Sequence, residues 1–343
     1  MTHHALRLRL DTDALQANWR WLQRTGGAPA GAAVKANGYG LGAVEVTKHL
    51  AAAGCRDFFV STWAEAESLG KMPDGTRLSV LHGVSAADVT TALSRIARPV
   101  LNTSQQVARW KEIAPNTPCD VMVDTGMNRL GIRTDEIDVL DGLTIATLMS
   151  HLASADEESG FNRAQLERFR ALRAAVPART YSLANSAGIC LGSDYGFDLT
   201  RPGLALYGGL PRAEAEGHLS QVVYPQAEVL QRRTVKTGES VGYGATWIAS
   251  RDTQIAIANI GYADGYLRSF AGEGVVQVGE DLLPLVGRVS MDLIAFDCTG
   301  APDLSEGDWV TVNYDLPTAA DASGLSQYEL LTGLSPRFER VWI

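Results

Sequence analysis

The chain has 343 residues, 45% hydrophobic and 20% charged, enough for a large core and two domains. Its formal net charge is -9 and it has no long basic run, which argues against nucleic acid or an anionic membrane as its main partner. The four cysteines, Cys55, Cys119, Cys190 and Cys298, are far apart and form no CxxC pair. Reduced thiols, with no disulfide framework and no metal cluster, are therefore expected.

The start of the chain, MTHHALRLRLDTD, lacks the apolar segment and small-residue cleavage site of a signal peptide. No window is apolar for long enough to cross a membrane, and a cytoplasmic location is the expectation. His3 and His4 are read as surface residues, not as a metal site. LRLRL (6–10) alternates at period two and predicts a strand with one wet face. DTDALQANWRWLQRTGG then predicts a helix. Asp11 or Thr12 caps it, Leu15, Trp19 and Leu22 form its apolar stripe, and Gly26 and Gly27 end it.

Short apolar runs follow at 31–35, 57–61, 77–82, 97–102, 118–124, 143–151, 179–184 and 198–206, most of them separated by helical patterns. Eight strands alternating with helices over roughly 200 residues have the rhythm of a (β/α)8 barrel, which a doubly wound open sheet shares locally. From about residue 222 the runs become short, strand-like and split by glycine turns, as in an all-β domain. The predicted fold is thus α/β: a TIM-type barrel over 10–220 and a mostly-β domain over 221–343, which also takes the strand at 1–9. PTAADASGLSQ reads as a loop leading into a last helix at YELLTGL.

A barrel of this type builds its site at the C-terminal ends of its strands. There the sequence places Lys35, His82, Asn102, Asp124 through Arg129, His151, Asn185, Ser186 and Arg201. The loops after strands seven and eight, NSAG and RPGLALYGG, offer a hydroxyl and unhindered backbone N–H groups suited to an anion. A phosphate beside a strand-end lysine suggests pyridoxal phosphate.

AVKANGYGLGA, VDTGMNRLGI, MSHLASAD, NSAG, RPGLALYG, GYGATW, GYADGY and GRVSMD occur in that order. Together they resemble alanine racemase, a fold-type III pyridoxal-phosphate enzyme. The resemblance runs from residue 6 to the C-terminus. It implies interconversion of L- and D-alanine by two bases, Lys35 and Tyr243, supplying D-alanine for peptidoglycan or consuming it in catabolism. Lys35 is implied to hold the cofactor as a Schiff base. Tyr39, Ser186, Gly203, Leu204 and Tyr328 are implied to bind its phosphate, Arg201 to face its ring nitrogen, and His151, on the cofactor side, to support Tyr243 through the neighbourhood of Arg201. Arg129 is implied to hold the substrate carboxylate. Met291, Tyr262 and Asp292, from the partner, are implied to line the substrate entrance or position the carboxylate. The resemblance further implies a homodimer in which the partner's C-terminal domain, with Tyr243, completes each site.

The proposed roles are chemically coherent. Racemisation removes a proton from one face of the α-carbon and delivers one to the other, which an amine and a phenolate on opposite faces do directly. A free tyrosine titrates near about pH 10, and neighbouring cations favour its anion. Arginine stays charged and only donates hydrogen bonds, so it keeps the ring nitrogen unprotonated and favours quick reprotonation over side reactions.

Three departures from the family pattern stand out. Met122 occupies a position where many members have a carbamylated lysine that steadies the substrate-binding arginine; Asn102 or a bound anion is the expected substitute. Leu41 and Ser290 replace a common histidine and cysteine. Tyr314 and Tyr328 both offer a phenol for the phosphate, and Tyr328 fits the family's YEILT-like pattern. Two other functions are compatible with parts of this sequence: a broad-specificity racemase acting on serine, and a cofactor-binding protein without turnover.

Overall fold

The computed structural model describes residues 4–343; His3 lies outside the described residues. Two compact units are present, Asp13–Ser220 and Met1–Thr12 with Gln221–Ile343. The strand Leu6–Leu10 (β1) buries Leu6, Leu8 and Leu10 and leaves Arg7 and Arg9 half-exposed, as its alternation requires.

In the first unit the helix Thr12–Gly26 buries Leu15, Trp19 and Leu22. It precedes the strands Ala32–Ala33 (β2), Asp57–Val60 (β3), Arg77–Val80 (β4), Arg98–Leu101 (β5), Cys119–Asp124 (β6), Ile132–Arg133 (β7), Ile145–Met149 (β8) and Thr180–Ser182 (β9). All but β7 form one parallel sheet in the order β2-β3-β4-β5-β6-β8-β9, and β7 pairs with β6. Most residues of this sheet are buried, as in a parallel sheet covered on both faces.

The eighth run forms no regular strand. Asp198 N and Arg201 N donate to Tyr181 O and Ala184 O, at 3.0 and 2.8 Å. On the other side Gly31 N and Ala33 N donate to Thr200 O and Pro202 O, both at 2.9 Å. Residues 198–202 thus close the sheet on itself, although Pro202 has no N–H with which to continue a ladder. Phe59, Val100, Met122, Met149 and Leu199 pack together, with Leu81 against them.

In the second unit the strands are Val223–Val235 (β10), Ser240–Val241 (β11), Trp247–Ile248 (β12), Thr253–Ala258 (β13), Val275–Val278 (β14), Asp281–Val286 (β15), Ile294–Asp297 (β16), Trp309–Val312 (β17) and Glu339–Trp342 (β18). The sheet runs β13-β16-β15-β14-β17-β10-β1-β18, and a β13–β10 pairing closes a ring. Along one edge the long β10 pairs first with β17 over Gln226–Glu228 and then with β13 from Val229 to Val235, with a register shift between Val229 and Gln231.

The segment PTAADASGLSQ departs from the expected loop, because Leu316–Ser323 is a helix. Asp315 caps it by accepting from Thr318 N at 3.2 Å. Its proline sits in the first turn, where no N–H is needed. The last helix is Gln327–Thr332. Among the described residues no helix is long and apolar enough to cross a membrane.

Candidate active site

Lys35 begins a turn, Lys35–Tyr39, immediately after β2. Ala36, Asn37 and Gly38 have φ of 52, 54 and 63°, and Tyr39 and Gly40 follow at 54 and 85°. This is a left-handed turn, and each non-glycine residue in it costs about 1–2 kcal/mol. Specific bonds hold it. Ala36 N donates to Glu65 Oε1 at 2.7 Å, and Ala43 N donates to Asn37 Oδ1 at 3.0 Å. The ring of Tyr39 stacks on Tyr207 at 4.7 Å, and Tyr207 Oη donates to Ala33 O at 2.8 Å. The lysine therefore stands on a strained but over-determined support, a pattern typical of functional sites.

Tyr39 and Gly203 make a close approach. A Cβ on Gly203 would lie 2.2 Å from Tyr39 Oη, so glycine is required for the phenol to reach the start of the turn Leu204–Tyr207. Ser186 Oγ accepts from Gly203 N at 2.9 Å and from Ala205 N at 3.2 Å. Two hydroxyls thus meet at one place, with the N–H groups of Gly203 and Ala205 turned to the serine oxygen, so that the serine O–H is left to donate to an oxyanion.

Arg201 is buried. Its Nη1 donates to Ser182 Oγ and its Nη2 to Ser150 O. Burial, opposed by the charge of Asp120, pulls the guanidinium down to about 10, so it stays charged at neutral pH. Burial also lowers the Lys35 amine; Arg129 adds to this and Glu65 opposes it. His151 is pushed down to about 3 by burial, then by Arg201, Arg129 and Lys35. These four groups therefore share one electrostatic neighbourhood.

Arg129 is exposed, and among the described residues no hydrogen bond or ion pair holds its guanidinium. The idea that Asn102 steadies it is not borne out. Asn102 Nδ2 donates to Leu81 O and Val100 O, at 2.9 and 2.7 Å, while its Oδ1 is buried without a partner. Met122 packs in the barrel interior. His82 is exposed, and Asn185 caps the helix Ser186–Cys190 through its Oδ1.

The remaining predicted residues lie in the second unit. Tyr243 is 70% exposed, between Gly242 and Gly244 at φ of 77 and 72°. A groove of about 440 Å³ adjoins it, lined by Ile257, Arg288, Leu293 and Ala295 among others. Tyr262 N and Ala263 N donate to Ser290 O and Met291 O, both at 3.0 Å. A Cβ on Gly261 would lie 2.4 Å from Met291 O, so the GYADGY and GRVSMD loops are pressed together. Asp292 Oδ1 accepts from Arg337 Nη1 at 2.8 Å, and Arg337 Nε lies 3.3 Å from Asp264 Oδ1. Met291 is exposed. Tyr314 is buried and donates to Leu330 O at 3.1 Å, whereas Tyr328 is exposed.

The alanine racemase N-terminal domain model matches residues 10–211, and the alanine racemase C-terminal domain model matches 222–342. The chain belongs to the alanine racemase family. The alanine racemase of Acidiphilium cryptum is 41% identical over 97% of this chain and 98% of that protein. Two Agrobacterium fabrum alanine racemases, one described as biosynthetic and one as catabolic, are 39% and 40% identical over 98% of this chain and 94% and 92% of theirs. The crystal structure of Bartonella henselae alanine racemase with covalently bound pyridoxal phosphate superposes with a TM-score of 0.90, at 34% identity over 99% of this chain and 100% of that one. Glu65, Tyr207 and Arg337 take part in these contacts and were not singled out from the sequence. Glu65 had one local signal, the Thr62–Glu65 capping box; its reach to Ala36 is a tertiary contact.

Proposed function

We propose that this chain is a pyridoxal-phosphate-dependent alanine racemase. What supports this reading most directly is a strand-end lysine of lowered basicity in the same unit as the hydroxyls of Tyr39 and Ser186, which converge on Gly203. The donors there fit a phosphate. Tyr39, Ser186, Gly203 and Leu204, with Tyr328, would hold that phosphate, and Lys35 would take the aldehyde carbon. The Nη atoms of Arg201 are already engaged, which leaves its Nε for the ring nitrogen.

When bound, pyridoxal phosphate acidifies the α-C–H of an amino acid joined to it. Lys35 Nζ takes or returns the proton on one face of the α-carbon, and Tyr243 Oη does so on the other. The lowered basicity of Lys35 makes it a base at lower pH than a free amine. Arg129 grips the substrate carboxylate with a planar, permanently charged fork. Arg201 keeps its proton and so leaves the ring nitrogen without one. His151 stays neutral among Arg201, Arg129 and Lys35, adding no further positive charge.

Tyr243, Tyr262, Met291 and Asp292 are contributed by the C-terminal unit of a second copy, in a head-to-tail homodimer. The exposure of Tyr243 and Met291 and the groove beside Tyr243 support this. The two domains are 10–220 and 221–343, the second completed by the N-terminal strand, and the protein works in the cytoplasm. Supply of D-alanine for peptidoglycan is the role we assign to it.

The deciding test is incubation with pyridoxal phosphate in deuterated water, first with L-alanine and then with L-serine, following α-proton loss by NMR and product chirality. Deuterated D-alanine forming much faster than D-serine is expected. Comparable rates indicate a broad-specificity racemase. No exchange with either substrate, while an aldehyde-adduct absorbance is lost on Lys35→Ala, reduces the function to cofactor binding.

A further inference from the structure

We propose that Gln165 is a positioning residue for the substrate-binding arm, tying the loop that carries Arg129 to the strand end that carries His151. The inference rests on reading Arg129 as the partner of the substrate carboxylate. Gln165 lies on the helix Gly160–Ala175, whose buried stripe is Asn162, Gln165, Leu166, Phe169 and Leu172. It is fully buried, and its side-chain amide is engaged at both ends. Oε1 accepts from Ala153 N at 2.9 Å. Nε2 donates to His151 O and to Thr125 Oγ1, both at 3.0 Å.

Thr125 is the hub. Its Oγ1 is hydrogen-bonded to Ser150 Oγ at 2.8 Å, and its carbonyl accepts from Arg168 Nη1 at 2.7 Å. Ser150 O in turn receives Arg201. One buried network therefore joins Arg201, Ser150, Thr125 and Gln165 to the backbone on both sides of His151. Thr125, Ser150 and Gln165 are each at most 1% exposed.

A leucine would fill the same place on the apolar stripe without needing partners. What the amide adds is a fixed separation between two loops, since a fully satisfied buried network specifies one geometry. That constraint matters here because the arginine's own side chain is not held. Met122 is packed among apolar residues and offers no oxygen to accept from it, and Asn102 Oδ1 is buried without a partner. The loop is held by its root instead: Thr125 on one side, and Gly126 N donating to Asp124 Oδ1 at 2.7 Å.

The test uses the purified, cofactor-loaded enzyme with Gln165→Leu, Arg129→Lys and the double variant. A misplaced arm weakens substrate binding, so Gln165→Leu is expected to raise KM for L-alanine roughly ten-fold with kcat within about two-fold. Cofactor absorbance should be unchanged, and the double variant should have nearly the KM of Arg129→Lys alone. Should Gln165→Leu not fold, Thr125→Val removes the hub hydroxyl at constant volume, and Thr125→Ser should restore KM. An unchanged KM, or KM, kcat and cofactor absorbance deteriorating together, overturns the inference. If Arg129→Lys raises KM and Gln165→Leu does not, only this inference fails. If Arg129→Lys leaves KM unchanged, the reading of Arg129 fails with it.

Discussion

His151 shows how much one side chain depends on its surroundings. In a free chain it titrates near 6.5, but here burial and three cations push it to about 3. Between those values the unfolded chain binds a proton that the folded chain refuses, so stability falls as pH drops through that window. The slope is at most about 1.4 kcal/mol per pH unit for one proton. His151→Asn removes the proton and should flatten the acid limb of a denaturation-versus-pH curve by about that slope; identical acid limbs in both proteins would place His151 in a more open environment. Glu65 acts in the opposite sense on its neighbour. Its carboxylate favours the charged form of Lys35 while burial and Arg129 disfavour it, and the same group anchors Ala36 N. One residue thus acts on both the charge and the backbone geometry at the lysine.

The element that matters most is the left-handed turn after β2. A run of non-glycine residues at positive φ is unfavourable locally, so its support must come from elsewhere in the fold. Tyr207 is part of that support, through its stack on Tyr39 and its bond to Ala33 O. Tyr207→Phe keeps the stack but leaves a buried carbonyl unpaired, an expected loss of about 1–3 kcal/mol by urea denaturation, with weaker retention of the cofactor. Wild-type stability in the variant would mean that the carbonyl finds another donor. The helix Leu316–Ser323 makes a complementary point. Its Pro, Ala, Asp and Ser content looks like a loop, yet proline is harmless in a first turn, Asp315 supplies the cap, and Gly324 ends it at φ of 70°.

At the scale of the whole molecule the question is where the second base comes from. If each site takes Lys35 from one copy and Tyr243 from the other, a Lys35→Ala protein and a Tyr243→Phe protein are each inactive. Heterodimers of the two hold one intact site and one doubly damaged site. Unfolding and co-refolding equal amounts should then restore about a quarter of wild-type activity by statistical pairing. No recovery, despite dimers forming, would place both bases on one chain.

The sequence by itself determined the strand–helix rhythm of the barrel, the change of texture near residue 222 and the family motifs. Each of these is written in residues close together in the chain: period-two and period-3.6 patterns, and glycine-flanked loops. The buried amide of Gln165 was visible only as a polar residue on an apolar helix stripe. Tertiary structure alone decided that it meets Thr125 and His151, that Glu65 reaches Ala36, and that Tyr314 is core while Tyr328 is exposed. It also decided that Asn102 does not steady Arg129, since Asn102 Oδ1, the one side-chain atom that could accept from a guanidinium, is buried without a partner. Such contacts join residues remote in the chain, and sheet register and helix docking set which side chains meet. Those depend on the packing of the whole unit, which no local window of sequence contains.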